Sequence, residues 1–331
     1  MNAALAAAVK VTAAAGGVSL GVNSGYEGLI DGDMVPLTPR DVDGFWHRGG
    51  TELGSARSAR FRTLEGREQA ARSLAGAGVD GLLVIGGNGS LAGAWALQSL
   101  VPFPVVGVPA SIDNDIACTT LSIGVDTALN TIVEACDRIS DTARSHRRVF
   151  VVEVMGRDCG YLAMAAAIAA QADAVIFREQ GKPADTLLSE LQGIIERAAA
   201  RGKKRVLIIK AEGVEIPSAE LVRRLGERSH GFAVRHTILG HVVRGGSPSS
   251  RDRLIAGRLA FAAVHCALAG QRGMVGWEPV ESGGHPTVDP SIQCFPLDRV
   301  LTETDALLAG THPSTLRRLA LLEMAQKVLP L

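Results

Sequence analysis

The string Pro109-Ala110-Ser111-Ile112-Asp113-Asn114-Asp115 follows a short apolar run and sets two carboxylates two residues apart. At the end of a strand, alternation points Asp113 and Asp115 the same way. One carboxylate could take a hydroxyl proton while the other holds Mg²⁺, which is what phosphoryl transfer to an alcohol requires. The same residues would also make an Asx-turn with solvated carboxylates. Upstream, Gly81 to Ile85 runs into Gly86-Gly87-Asn88-Gly89-Ser90 and then a helical pattern. Such a turn gathers backbone N–H groups at a positive helix end, where a polyphosphate fits, although strand, glycine turn and Ser cap also make an ordinary connection. Arg57, Arg148, Arg157, Arg235 and Arg244 stand beside glycine turns or strand ends. Arginine offers a planar fork matched to phosphate, and each one singly could equally be a solvated surface charge. His241 reads singly as a structural histidine, since no second His stands at metal-ligand spacing.

Those residues have to be positioned by something, and the chain around them alternates apolar Val/Ile runs with stretches of helical period. That is the pattern of βαβ units, so the class is α/β, doubly wound, with mostly parallel sheets. Strands are expected at 18–22, 81–85, 105–108, 149–154, 174–177, 206–209, 237–239 and, weakly, 274–277. Helices are expected at 1–15, 65–77, 90–100, 127–143, 160–171, 184–201, 219–227 and 251–269. The last forty residues, from Ser291, read as a tail with one helix near 314–328. Folds of this kind ordinarily open on a strand, whereas here the first element is a helix.

Composition narrows the ligand. With 331 residues, 47% of them hydrophobic, the chain can bury one large core or two packed ones. Lys plus Arg and Asp plus Glu both number 34 without long runs of like charge, which argues against nucleic-acid and membrane partners and for a small molecule. The 5 cysteines are scattered, with no Cys-x-x-Cys spacing, so reduced thiols in a cytoplasmic protein are expected.

Ile85 to Ser90, Ser111 to Ile116, Val151 to Arg157, and Leu239 to Pro248 followed by Asp252-Arg253 resemble, in order and spacing, the strings of bacterial 6-phosphofructokinases. The resemblance runs from Met1 to about Ala269 and is weak beyond. It implies a glycolytic Mg-ATP-dependent kinase acting on the 1-hydroxyl of fructose 6-phosphate. It also implies two Rossmann-like subdomains, residues 1–124 with 242–290 and 125–241 with 291–331. By the resemblance Asp113 is the base, Arg157 the cation that steadies the transferring phosphoryl group, Ser111 a hydroxyl donor to phosphate where Thr is usual, and Asp115 a metal ligand. Tyr26, Arg57, Phe61 and the turn Gly86, Gly87, Asn88, Gly89, Ser90 would serve ATP. Ser111, Ile112, Asp113, Met155, Gly156, Arg157, Glu212, His241 and Arg244 would hold the sugar phosphate. Arg148 and Arg235 would reach the 6-phosphate of a neighbour in a homotetramer. Small residues at Gly89 and Ala110 favour ATP over pyrophosphate.

Three departures accompany this likeness. Asn88 replaces an aspartate, so its contribution to Mg²⁺ becomes a neutral oxygen. The strand and Gly-Gly-Asp loop that would precede Met1-Asn2-Ala3-Ala4 do not stand before Met1, which implies a first subdomain lacking its first strand and low turnover. Two basic positions of the effector site are Ala6 and Ser140, while Lys10, Arg201 and Lys203 keep their charges. A catalytically impaired or regulatory relative is therefore the alternative reading, and a pyrophosphate-dependent transferase a more distant one.

Overall fold

The computed structural model describes residues 1–227 and 231–328, and the chain divides into two compact units. The first comprises residues 1–111, 116–124 and 246–305, and the second residues 112–115, 125–245 and the described part of 306–331. In chain order the first unit supplies α1 (Asn2–Ala14), β1 (Ser19–Val22), α2 (Tyr26–Asp31), β2 (Met34–Leu37), α3 (Pro39–Val42), α4 (Leu64–Gly76), β3 (Leu82–Gly86), α5 (Asn88–Gln98) and β4 (Val105–Pro109). The second follows with α6 (Val125–His146), β5 (Arg148–Val154), α7 (Tyr161–Ala169), β6 (Ala174–Ile176), α8 (Ala184–Ala200), β7 (Arg205–Ala211), α9 (Ser218–Gly226) and β8 (Ala233–Ile238). Then come α10 (Ser250–Leu268), β9 (Gly273–Trp277), β10 (His285–Pro286), β11 (Ile292–Phe295), α11 (Leu297–Leu308) and α12 (Pro313–Val328). None of the described helices is long and apolar enough to cross a membrane.

The second unit holds a four-stranded, wholly parallel sheet in the order β6-β7-β5-β8. β5 and β7 are buried almost end to end because helices cover both faces. One face packs Val149, Val151, Val206 and Ile208 against α8 and α9. In α8 the buried Leu187, Leu188, Leu191 and Ile195 recur at helical spacing and make one apolar stripe. Each is worth about 1.5–3 kcal/mol when fully buried. Gly202, at φ 68°, ends that helix in the left-handed conformation that glycine takes without penalty. On the same face Lys210, 1% exposed, pairs with Glu153 at 3.0 Å, and Ser218 also donates to Glu153.

In the first unit the main sheet runs β10-β11-β9-β4-β3. β3, β4 and β9 are parallel, while β11 and β10 are antiparallel additions. Two expectations are corrected here. The apolar run 18–22 forms a strand that joins β2 in a separate antiparallel hairpin. Residues 291–305, expected in the second subdomain, lie in the first unit, because Ile292 to Phe295 pairs with Trp277 to Met274 and α11 follows. Conversely 112–115 and 242–245 go with the second unit, and residues 329–331 of the expected second subdomain fall outside the described residues. Among the described residues β3 ends its sheet. Beside it runs an apolar groove of about 850 Å³ lined by Leu83, Ile85, Leu5, Val9, Leu20 and Val22, among others. All five cysteines are buried and none is in a disulfide.

Candidate active site

In the second unit three strand ends meet the expected strings. β5 runs into Met155-Gly156-Arg157, β7 into Glu212-Gly213, and β8 into a short turn over Gly240–Arg244. Their register is held by Glu212 N–H donating to the Val154 carbonyl at 2.9 Å and Leu239 N–H to the Glu153 carbonyl at 3.0 Å. This is the carboxyl edge of a parallel sheet, where open α/β folds bind ligands. Two glycines make the approach possible. Gly156 sits at φ 111°, and a Cβ on Gly213 would lie 1.8 Å from the Arg157 carbonyl oxygen. Met155 is buried, Glu212 half-buried, and Arg157, His241 and Arg244 are exposed. Arg148 opens β5 and Arg235 stands opposite Phe150, so both lie toward the other end of the sheet and do not join this edge.

The turn Ile112–Asp115 belongs to the same unit. Asn114 is fully buried at φ 50°, a left-handed conformation that Asn tolerates better than most residues. On one side of it, Asp113 has a buried carboxylate oxygen, Oδ1, without a hydrogen-bond partner. Burial pushes the Asp113 pKa up to about 6; the Asp115 charge adds to this, Arg244 opposes it, and Glu212 and Asp158 contribute. Asp158 itself pairs with Arg178 at 2.9 Å. The arrangement holds this carboxyl well above the ordinary aspartate range, which suits a group that accepts a proton.

The first unit carries the glycine turn. Gly86, Gly87, Asn88, Gly89 and Ser90 end β3 and open α5, with Asn88 as the first helical residue. Ala110 N–H donates to the Gly86 carbonyl at 2.9 Å, which lays the turn beside Ser111. A Cβ on Gly87 would stand 3.7 Å from the Ser111 Cβ, and one on Gly89 would meet nothing. The Ser111 carbonyl accepts from Ser122. Tyr26 stacks on Phe61 at 3.9 Å and donates its hydroxyl to the Ser90 carbonyl. Gly93 makes room for that ring, since a Cβ there would come within 2.4 Å of it. Arg57 is exposed on a loop. Of the effector candidates, Lys10 pairs with Asp43, Lys203 with the buried Asp173, and Arg201 is exposed. Ala6 and Ser140 are buried.

Residues 1–267 match the Phosphofructokinase family. The chain belongs to that family. It is 47% identical over 271 residues to an ATP-dependent 6-phosphofructokinase of Thermotoga neapolitana, covering 82% of this chain and 83% of the relative. It is 45% identical over 276 residues to ATP-dependent 6-phosphofructokinase 1 of Thermus thermophilus, covering 83% and 84%. Among solved structures, phosphofructokinase from Saccharomyces cerevisiae superposes with a TM-score of 0.86 at 33% identity. That match covers 97% of this chain and 46% of the yeast one, so the chain spans about half the yeast chain's length. A pyrophosphate-dependent phosphofructokinase from Marinobacter aquaeolei, at 21% identity and a TM-score of 0.76, shares the fold. The expected phosphofructokinase fold and the expected class, an ATP-dependent phosphotransferase of this family, agree with these relatives; the impaired-relative reading is not favoured by them. An ATP-dependent kinase works with a divalent metal.

The sequence reading passed over Asn114, Asp158, Cys159, Gly213 and Arg318, which build or anchor the second unit's loops. Asn114 alone carried a signal, as an Asn between two aspartates where a turn was weighed.

Proposed function

We propose that the chain transfers the γ-phosphoryl group of ATP to the 1-hydroxyl of fructose 6-phosphate. Asp113 takes the hydroxyl proton as the oxygen attacks phosphorus, the bond to the ADP oxygen breaks, and ADP leaves. Arg157 offsets charge on the transferring group, and Ser111 donates to phosphate. Ile112, Met155, Gly156, Glu212, His241 and Arg244 hold the sugar phosphate. Arg148 and Arg235, away from this edge in their own chain, serve the 6-phosphate of a neighbour in a homotetramer. Tyr26, Arg57, Phe61 and the Gly86–Ser90 turn hold ATP, with open space at Gly89 for its phosphates. The enzyme works in the cytoplasm.

Among the described residues no cluster of three or more His, Cys, Asp or Glu could hold a metal alone. That suits Mg²⁺, which is commonly bound through one or two carboxylates together with substrate phosphates. By the resemblance Asp115 and, separately, the amide oxygen of Asn88 are its candidate ligands, and when bound it would neutralise phosphate charge.

The observation that supports this reading most is Asp113, half-buried, with one buried carboxylate oxygen that lacks a hydrogen-bond partner and a pKa raised to about 6, among Asp115, Glu212 and Arg244. The test is a coupled assay with ATP, fructose 6-phosphate and magnesium. Asp113→Asn is expected to lower kcat by about 10²–10⁴-fold and leave both KM values within a few-fold. Wild-type kcat in that variant would remove Asp113 from the role of base; turnover with pyrophosphate but not ATP would overturn the donor.

A further inference from the structure

The tail beyond Ser291 lies where the resemblance fades, yet α12 sends one side chain to the turn between the two aspartates. Arg318 Nη2 donates to the Asn114 carbonyl at 3.1 Å, and its Nη1 to Cys159 Sγ at 3.2 Å. Its guanidinium carbon lies 4.8 Å from the centre of the Tyr161 ring, at the start of α7. Cys159 Sγ lies 3.7 Å from the same Asn114 carbonyl as a second donor. The adjacent Arg317 is exposed, while Arg318 is half-buried.

From this contact set we infer that Arg318 is a positioning residue for phosphoryl transfer, fixing the left-handed turn at Asn114 that carries Asp113 and Asp115. The inference rests on the reading of Asp113 as base. Its logic is geometric. The Asn114 carbonyl belongs to a fully buried residue, and a buried carbonyl needs donors. At φ 50° the residue holds a left-handed conformation that a side chain other than glycine's does not favour, so the contacts on its peptide matter to it. Without the guanidinium the peptide can rotate toward another donor, and the carboxylates on either side move with it. Displacement of a catalytic group by about 1 Å can cost on the order of 10²-fold in rate. The planar fork matters, because it reaches the carbonyl and the sulfur at once while stacked on Tyr161. A lysine supplies one compact charge in place of this fork.

Arg318→Ala is expected to lower kcat about 10- to 100-fold at saturating ATP and fructose 6-phosphate, with both KM values within about threefold. Arg318→Lys should recover part of the loss, and Arg317→Ala should keep wild-type kinetics. Positioning through Asp113 also makes a demand that general stabilisation does not: in the Asp113→Asn background, Arg318→Ala should cost several-fold less than in the wild-type background, the remainder acting through Asp115. Thermal unfolding of each variant is read alongside, and Arg318→Gln and Arg318→Lys stand in if Arg318→Ala does not fold. Wild-type kcat in a folded Arg318→Ala or Arg318→Gln overturns the inference. So does an undiminished effect on top of Asp113→Asn. If Asp113→Asn itself keeps full kcat, the base assignment falls and this inference with it; if Asp113→Asn fails while the Arg318 variants turn over normally, this inference alone is wrong.

Discussion

In the first unit the groups proposed to meet phosphate are main-chain N–H groups at the start of α5, framed by Gly86, Gly87 and Gly89. In the second unit the proposed site is a set of charged side chains, Asp113, Asp115, Glu212 and Arg244 among them, drawn from a turn and from the loops that follow separate strands. The two sets fail in different ways. A backbone cradle has no titrating group of its own and is insensitive to pH; it responds to added atoms or added charge. A side-chain cluster is sensitive to protonation and to deletion of single charges, because each member shifts the others.

The sharpest break of that contrast is Arg244→Ala. On the proposed role of Arg244 in holding the sugar phosphate, loss of that charge-assisted contact should raise KM for fructose 6-phosphate about 10- to 100-fold. KM for ATP should change little, as read from full substrate titrations. A large rise in KM for ATP would erase the distinction.

Next comes pH. The Asp113 pKa is raised to about 6 by burial first and Asp115 second, with Arg244, Glu212 and Asp158 also acting on it. A base must be deprotonated, so kcat should fall as pH drops through about 6, by about tenfold at pH 5, and level off above pH 7. KM for ATP should not follow that curve. A flat kcat profile between pH 5 and 7 would mean that another group takes the proton.

The smallest expected effect is in the backbone-built set. Asn88→Asp adds a carboxylate at the first position of α5, and the magnesium concentration for half-maximal rate should drop a few-fold. An unchanged magnesium requirement would show that this position does not serve the metal.

How much could be read beforehand follows the same division. Glycine turns and strand-end strings are local, and they carried Gly86 to Ser90, Asp113, Met155 to Arg157, Glu212 and Arg244 to loops beside strands. Pairing partners are not local. The run 18–22 has a strand's composition, but nothing in it says that it joins 34–37, a segment interrupted by Pro36. Residues 292–295 are too short a run to announce themselves, and their antiparallel matches to residues 274–277 on one side and His285–Pro286 on the other make them a strand. Arg318 was illegible for a related reason: its contacts with Asn114 and Cys159 span 204 and 159 residues of chain. A single arginine on a helix gives no hint of a partner so far away.

The place of β3 at the end of its sheet bears on fluctuation as well as on form. Leu82 N–H and the Gly86 carbonyl are bonded toward β4, so alternation turns the N–H groups of Leu83 and Ile85 toward the apolar groove. Those amides should exchange with solvent through small local openings, whereas the β5 amides, with β7 on one side and β8 on the other, should exchange only through larger ones. The glycine turn thus hangs from a strand secured on one side, while Met155 to Arg157 hang from one secured on both. A nucleotide that orders the turn would pay more in lost motion than a sugar phosphate arriving at an already stiff edge.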